Sequence, residues 1–74
     1  MKYVYSVNRA GEHPHSFYTS RKKAIHACKC DLICEGFNDA QITITKMSNC
    51  SFVDGIDRDS QRFQSWFVYR KLVM

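Results

Sequence analysis

Side chains alternate along the opening segment: Tyr3, Tyr5 and Val7 share one parity, Val4, Ser6 and Asn8 the other. A period of two, rich in aromatic and β-branched residues, predicts a strand over residues 2–8. Residues 10–16 break the pattern, and Gly11 and Pro14 mark them as a loop. The period then lengthens. Ile25, Cys28 and Leu32 follow i, i+3, i+7 spacing with Ala24 beside them, which predicts a helix with one apolar stripe. Thr19 or Ser20 supplies the N-cap hydroxyl before Arg21, and Gly36 suits the position just past an end near Glu35. Lys22, Lys23, His26 and Lys29 fall mainly on the other side; the basic residues near the N-terminus oppose the helix dipole.

Alternation returns over residues 41–47, where Ile42 and Ile44 oppose Thr43 and Thr45. It continues less regularly through Cys50, Phe52 and Val53, enough for a short extra strand. Asp54-Gly55 reads as a turn and residues 54–61 as a polar loop. Residues 63–73 form the last strand, apolar on both parities: Trp66, Val68 and Leu72 on one, Phe67, Tyr69 and Val73 on the other. One helix covers only one face of a sheet, so loops or a second subunit must cover the other. The expected fold is a single α+β domain over residues 1–74, ordered β-α-β-β, with one helix on a three-stranded, mainly antiparallel sheet.

Size narrows the function classes. A chain of 74 residues and 8.7 kDa stands near the lower limit for a self-sufficient core, although 45% of it is apolar and ten residues are aromatic. A deep enzyme pocket is hard to build at this size. The sequence carries no Walker or G-x-G-x-x-G loop, and no enzyme activity is expected. It has neither a run of ~20 apolar residues nor a secretory leader. A cytoplasmic protein with reduced thiols and no membrane partner is therefore expected.

The densest chemistry is His26-Ala-Cys-Lys-Cys-Asp-Leu-Ile-Cys34. On a helix, Cys28 and Cys30 point nearly oppositely, whereas His26, Cys30 and Cys34 form an i, i+4 ladder. Cys50 can complete a zinc set only if its strand ends beside that ladder. The ladder spans about 12 Å along the axis, too far for one ion with ligands at about 2.0–2.3 Å. Packing is the favoured reading, with Cys28 in the core and Cys34 on its flank; no cofactor is expected. Glu12, His13 and His15 read as a solvated loop, and Asp54, Asp57 and Asp59 lack the EF-hand spacing.

Charge separates along the chain. Lys2, Arg9, Arg21, Lys22, Lys23 and Lys29 against Glu12 make residues 1–30 basic; Asp31, Glu35, Asp39, Asp54, Asp57 and Asp59 against Lys46 and Arg58 make residues 31–60 acidic. Arg62, Arg70 and Lys71 make the last segment basic again, for a net +4. Such division steers a partner's approach. Two binding surfaces are expected. Tyr3, Tyr5, Trp66 and Tyr69, with Arg70, are the aromatic and arginine residues favoured at protein interfaces. Arg21, Lys22, Lys23 and Lys29 are the alternative, for phosphates of nucleic acid.

In general form the chain resembles small bacteriophage-encoded accessory proteins. The likeness lies in the compact opening Met1-Lys2-Tyr3-Val4-Tyr5-Ser6-Val7, the polar Gly loop, Ser20-Arg21-Lys22-Lys23-Ala24-Ile25 at the helix start, and the aromatic terminal strand. The resemblance implies a protein acting in host cytoplasm by binding a host enzyme, a defence nuclease included, or nucleic acid. From residues and resemblance together, the leading expectation is a non-enzymatic protein-binding module, an inhibitor of such an enzyme. A nucleic-acid binder and a small zinc domain are the alternatives, and a homodimer is expected through the uncovered face or edge of the sheet.

Overall fold

The computed structural model describes residues 2–9 and 16–73. They form an α+β domain of five strands and one helix: β1 Lys2–Arg9, β2 Ser16–Tyr18, α1 Arg21–Cys34, β3 Ile42–Lys46, β4 Cys50–Asp57 and β5 Arg62–Val73. A single 3-10 turn, Asp39–Gln41, leads into β3. Every strand pairing is antiparallel, in the order β2-β1-β5-β4-β3. The two terminal strands thus lie side by side at the centre, Val7 opposite Val68, and the β3-β4-β5 meander extends to one edge.

The class is as expected, but the sheet has five strands instead of three. β2 has only three residues, too short for alternation to register. β4 runs straight through Asp54-Gly55, which is therefore no turn. Each residue is fixed by a tertiary contact: Asp54 Oδ1 accepts from the Ser65 hydroxyl on β5 at 2.6 Å, and Gly55 makes room for the Phe37 ring. The expected polar loop shrinks to residues 58–61, where Asp57 Oδ1 accepts the backbone N–H groups of Asp59 and Ser60 at 3.1 and 3.4 Å. The Ser60 side-chain hydrogen bond is the main cause holding the Asp57 carboxyl below its ordinary 3.8. Of the loop expected over residues 10–16, residues 10–15 lie outside the described residues, and Ser16 opens β2.

The helix forms where its capping chemistry places it. Ser20 Oγ accepts the Lys23 N–H at 3.1 Å, satisfying an otherwise orphan donor. At the far end Gly36 takes φ +105°. The Gly36 N–H then bonds to the Ile33 carbonyl at 3.0 Å, and Phe37 N–H to that of Leu32 at 3.1 Å. This is the Schellman arrangement, and glycine adopts its left-handed residue without the Cβ penalty. Phe37 consequently folds back under the helix and is buried beside Leu32 in the core.

The core lies between α1 and one face of the sheet. Ala24, Ile25, Cys28 and Leu32 from the helix meet Val7, Val53, Trp66 and Val68 from the three central strands. Tyr5, Tyr18 and Ile42 pack around this cluster. The helical stripe and the Trp66–Val68 parity read from the sequence are the ones that are buried.

Candidate functional site: the open face of the sheet

A residue and its cross-strand partner lie on the same sheet face, so register sorts the side chains. Phe67 stands opposite Phe52, Tyr69 opposite Cys50 and Ser6, Ser6 opposite Phe17, and Ile56 opposite Phe63. All of these belong to the face turned away from α1, and no described element packs over that face. Phe52 and Phe67 meet edge to face with centroids 5.4 Å apart, and Phe67 and Tyr69 are tilted at 6.1 Å. Phe52, Phe67 and Tyr69 thus form a cluster on β4 and β5, with Phe17 on the edge strand β2 and Phe63 at the start of β5 on the same face. Phe17 and Phe63 remain 60% and 64% exposed, Tyr69 41% and Ile56 39%. Few charges accompany them: Lys2 and Lys71 at one end, and Asp54, already bonded to Ser65. Lys71 Nζ lies 5.9 Å from the centre of the Phe17 ring.

Two of the loop aromatics that could have folded back over this face belong to it. Phe17 and Phe52 are in strands β2 and β4, while Phe37 is buried on the helix side. Among the described residues no element meets the sequence requirement that the second face be covered.

The five residues expected to bind a partner do not share one surface. By parity Tyr3, Tyr5, Trp66 and Arg70 lie on the helix side, and only Tyr69 faces outward. Trp66 is buried with the Arg9 guanidinium 5.3 Å from its ring centre, and Tyr5 packs on the core below Arg21. Arg70 stacks 4.4 Å from the Tyr3 ring and donates to Asn49 Oδ1 at 2.7 Å. Sequence parity alone made the two faces look equivalent. The missing discriminator was which face α1 covers, and Val7, paired with Val68, carries it.

The basic set is also divided. Arg21 donates to the Ser48 carbonyl at 2.8 Å, and Lys29 pairs with Asp39 at 2.8 Å. Lys22 and Lys23 are exposed, but on the side of the molecule opposite the aromatic face. An open concave surface beside the helix takes in Tyr18, Lys22, Lys23, Ala27, Lys29 and Ile44.

The His26–Cys30 rung exists, with Sγ 3.5 Å from Nε2, on the outer surface of the helix. Cys34 is exposed rather than flanking the core. Cys50 begins β4 with its side chain on the open face, Sγ 4.0 Å from Met47 Sδ, so the sheet separates it from the ladder. Among the described residues no three His, Cys, Asp or Glu side chains gather for a metal. Nor do the three aspartates join: Asp54 is on the open face, while Asp57 pairs in register with Arg62 on the other parity.

Cys28, fully buried, has its thiol pushed up from 9.0 to about 12, chiefly by burial and secondarily by the nearby Asp31 charge. The native protein at pH 8 is therefore expected to take up a thiol reagent rapidly at Cys30 and Cys34, and at Cys28 only after unfolding. The linkage has a definite sign. Between about pH 9 and 12 the unfolded thiol ionises and the buried one does not, so this group's contribution to stability is lost as pH rises through that window. Mass spectrometry of timed labelling checks the order; Cys28 reacting as fast as Cys30 would contradict it.

The aromatic sheet face is thus an extended surface that no described element covers. Comparison with known protein families, curated proteins and solved structures finds no match for the chain.

Proposed function

We propose that this chain is a non-enzymatic protein-binding module whose contact surface is the open face of its sheet. One observation carries the reading: Phe17, Phe52, Phe63, Phe67 and Tyr69 share a mostly uncharged face that no described element covers, with Phe52, Phe67 and Tyr69 in contact. Isolated exposed apolar residues are normal, but contiguous exposed rings on one rigid face are the composition of an interface core. The module acts by occlusion or assembly and performs no chemistry of its own. Single-stranded nucleic acid can also stack on aromatic sheets, but needs phosphate-binding cations along the same groove. Lys22 and Lys23 stand on the opposite side, so the geometry favours protein.

The test compares the wild-type chain with the double variant Phe17→Ser/Phe63→Ser, both used as immobilised bait for proteins of the native source and for a tagged copy of the chain itself. Both rings are largely exposed, so the variant should keep the wild-type secondary structure by circular dichroism. At least one polypeptide, the tagged copy included, should be retained by the wild type and lost from the variant. If no polypeptide distinguishes the two, the reading falls. It also falls, in favour of nucleic acid, if labelled oligodeoxythymidine binds the wild type at ~50 mM salt and fails to bind the variant.

A further inference from the structure

We infer that the occupant of this face is a second copy of the chain, stacked so that β5 of one copy runs antiparallel to β5 of its mate across a two-fold axis. The inference rests on reading the open face as a protein-docking surface. It adds the identity of the partner and its orientation.

Area is the first argument. The five strands hold 8, 3, 5, 8 and 12 residues, 36 in all, and at ~3.3 Å per residue and ~4.8 Å between strands they cover roughly 570 Å². Specific interfaces start at about 600 Å² per partner, so nearly the whole face has to be used, and a partner with a face of the same dimensions uses it. Two such sheets pack about 10 Å apart with strands aligned within about 30°, close enough for rings on facing sheets to interdigitate. In that arrangement the helices stay on the outside of both copies. The result is a four-layer particle with one helix layer covering each sheet on its outer side, which gives both apolar faces of a thin domain a cover.

Charge supplies the orientation. Towards the β4–β5 turn the open face carries Asp54, and the turn itself holds Asp59 beside Arg58. Asp57 and Arg62 pair with each other on the helix side, where Arg62 is turned to the Glu35 carbonyl and the Phe37 ring. At its other end the open face carries Lys2 and Lys71. A two-fold axis across the strands sets the acidic end of each copy over the basic end of its mate, twice. An axis along the strands would set like over like at both ends.

Light scattering across ~5–200 µM protein tests the inference. The wild type should approach twice 8.7 kDa, and Phe17→Ser/Phe63→Ser should stay monomeric. Lys71→Glu and Asp59→Lys, which leave every ring in place, should each raise the dissociation constant roughly tenfold, because each alters two symmetric contacts. Mixing the two should restore association, since the new acidic end then faces a new basic end. A monomeric wild type throughout the range overturns the dimer. If the bait experiment still finds another polypeptide lost from the double variant, the docking face stands while the self-association falls. A dimer indifferent to Phe17→Ser/Phe63→Ser overturns the face as its interface. Tighter association of Lys71→Glu overturns the antiparallel orientation.

Discussion

Replacing Leu32 by alanine is expected to remove about 3–4 kcal/mol of stability. Leu32 is 0% exposed and heads the fully buried side chains by volume. It has two roles. Its side chain packs with Cys28, Val53 and Trp66 in the core, and its carbonyl accepts the Phe37 N–H that closes the helix. Alanine keeps the carbonyl and deletes the packing, so the loss reports the cavity alone. A domain this size holds about 4–11 kcal/mol in total, at roughly 0.05–0.15 kcal/mol per residue. The substitution therefore costs a large share of it, and the melting temperature should fall by about 12–32 °C at a fixed protein concentration. Ile33→Ala, one residue along and 47% exposed, should change stability by about 0.5 kcal/mol or less. Equal effects at the two positions would show that the buried stripe is misassigned.

That comparison also indicates how much of the fold was legible. Helix existence, caps and buried stripe were readable because Ser20, Gly36 and the Ile25-Cys28-Leu32 spacing act locally, within one or two turns. β1, β3 and β5 were readable because their alternation spans five residues or more. β4 was half hidden for a different reason. Asp54-Gly55 is a turn signal in isolation, but its meaning is set by Ser65, eleven residues away, and by Phe37, eighteen residues away. A local pattern cannot contain that information. β2 pairs with β1 for only three residues, below any periodicity.

The site was legible as a problem rather than as a list. Apolar residues on both parities of β5 showed that something must cover a second face, and no described element does so. The residues named from composition, chosen for tyrosine, tryptophan and arginine over phenylalanine, fall on two faces of the sheet. Arg70 and Tyr3 stack on each other on the helix side, and Trp66 completes the core. Phe17, Phe63 and Phe67 were the signal, and strand parity would have grouped Phe63 and Phe67 with Tyr69. The cysteine ladder failed for a topological reason: Cys50 is in the right strand neighbourhood by sequence but on the opposite face by register.

Valine at position 55 is expected to destabilise the domain by about 3 kcal/mol, against what strand propensity alone would give. Gly55 lies inside β4, between Ile42 on β3 and Gln64 on β5, where a β-branched residue normally gains up to ~1 kcal/mol over glycine. A Cβ built there stands 3.0 Å from Phe37 Cδ2 and Cγ and 3.1 Å from Cδ1. Carbon atoms rest at about 3.5–4.0 Å, so the ring must retreat by half an ångström or more. Phe37 is 3% exposed and tied by its backbone to the helix end, with the Arg62 guanidinium 4.7 Å from its ring centre. Retreat therefore disturbs the Leu32 contact and the helix terminus together, the overpacking case that costs about 1–3 kcal/mol. Alanine at 55 should fall at the lower end of that range and valine at the upper. Urea unfolding of Gly55→Ala, Gly55→Val and the pair Gly55→Val/Phe37→Leu gives the test. The smaller leucine should recover part of the valine loss, because two residues in contact do not add. A rise in stability on Gly55→Val alone would mean that Phe37 does not sit against β4, and the account of why the chain passes straight through Asp54-Gly55 would fail with it.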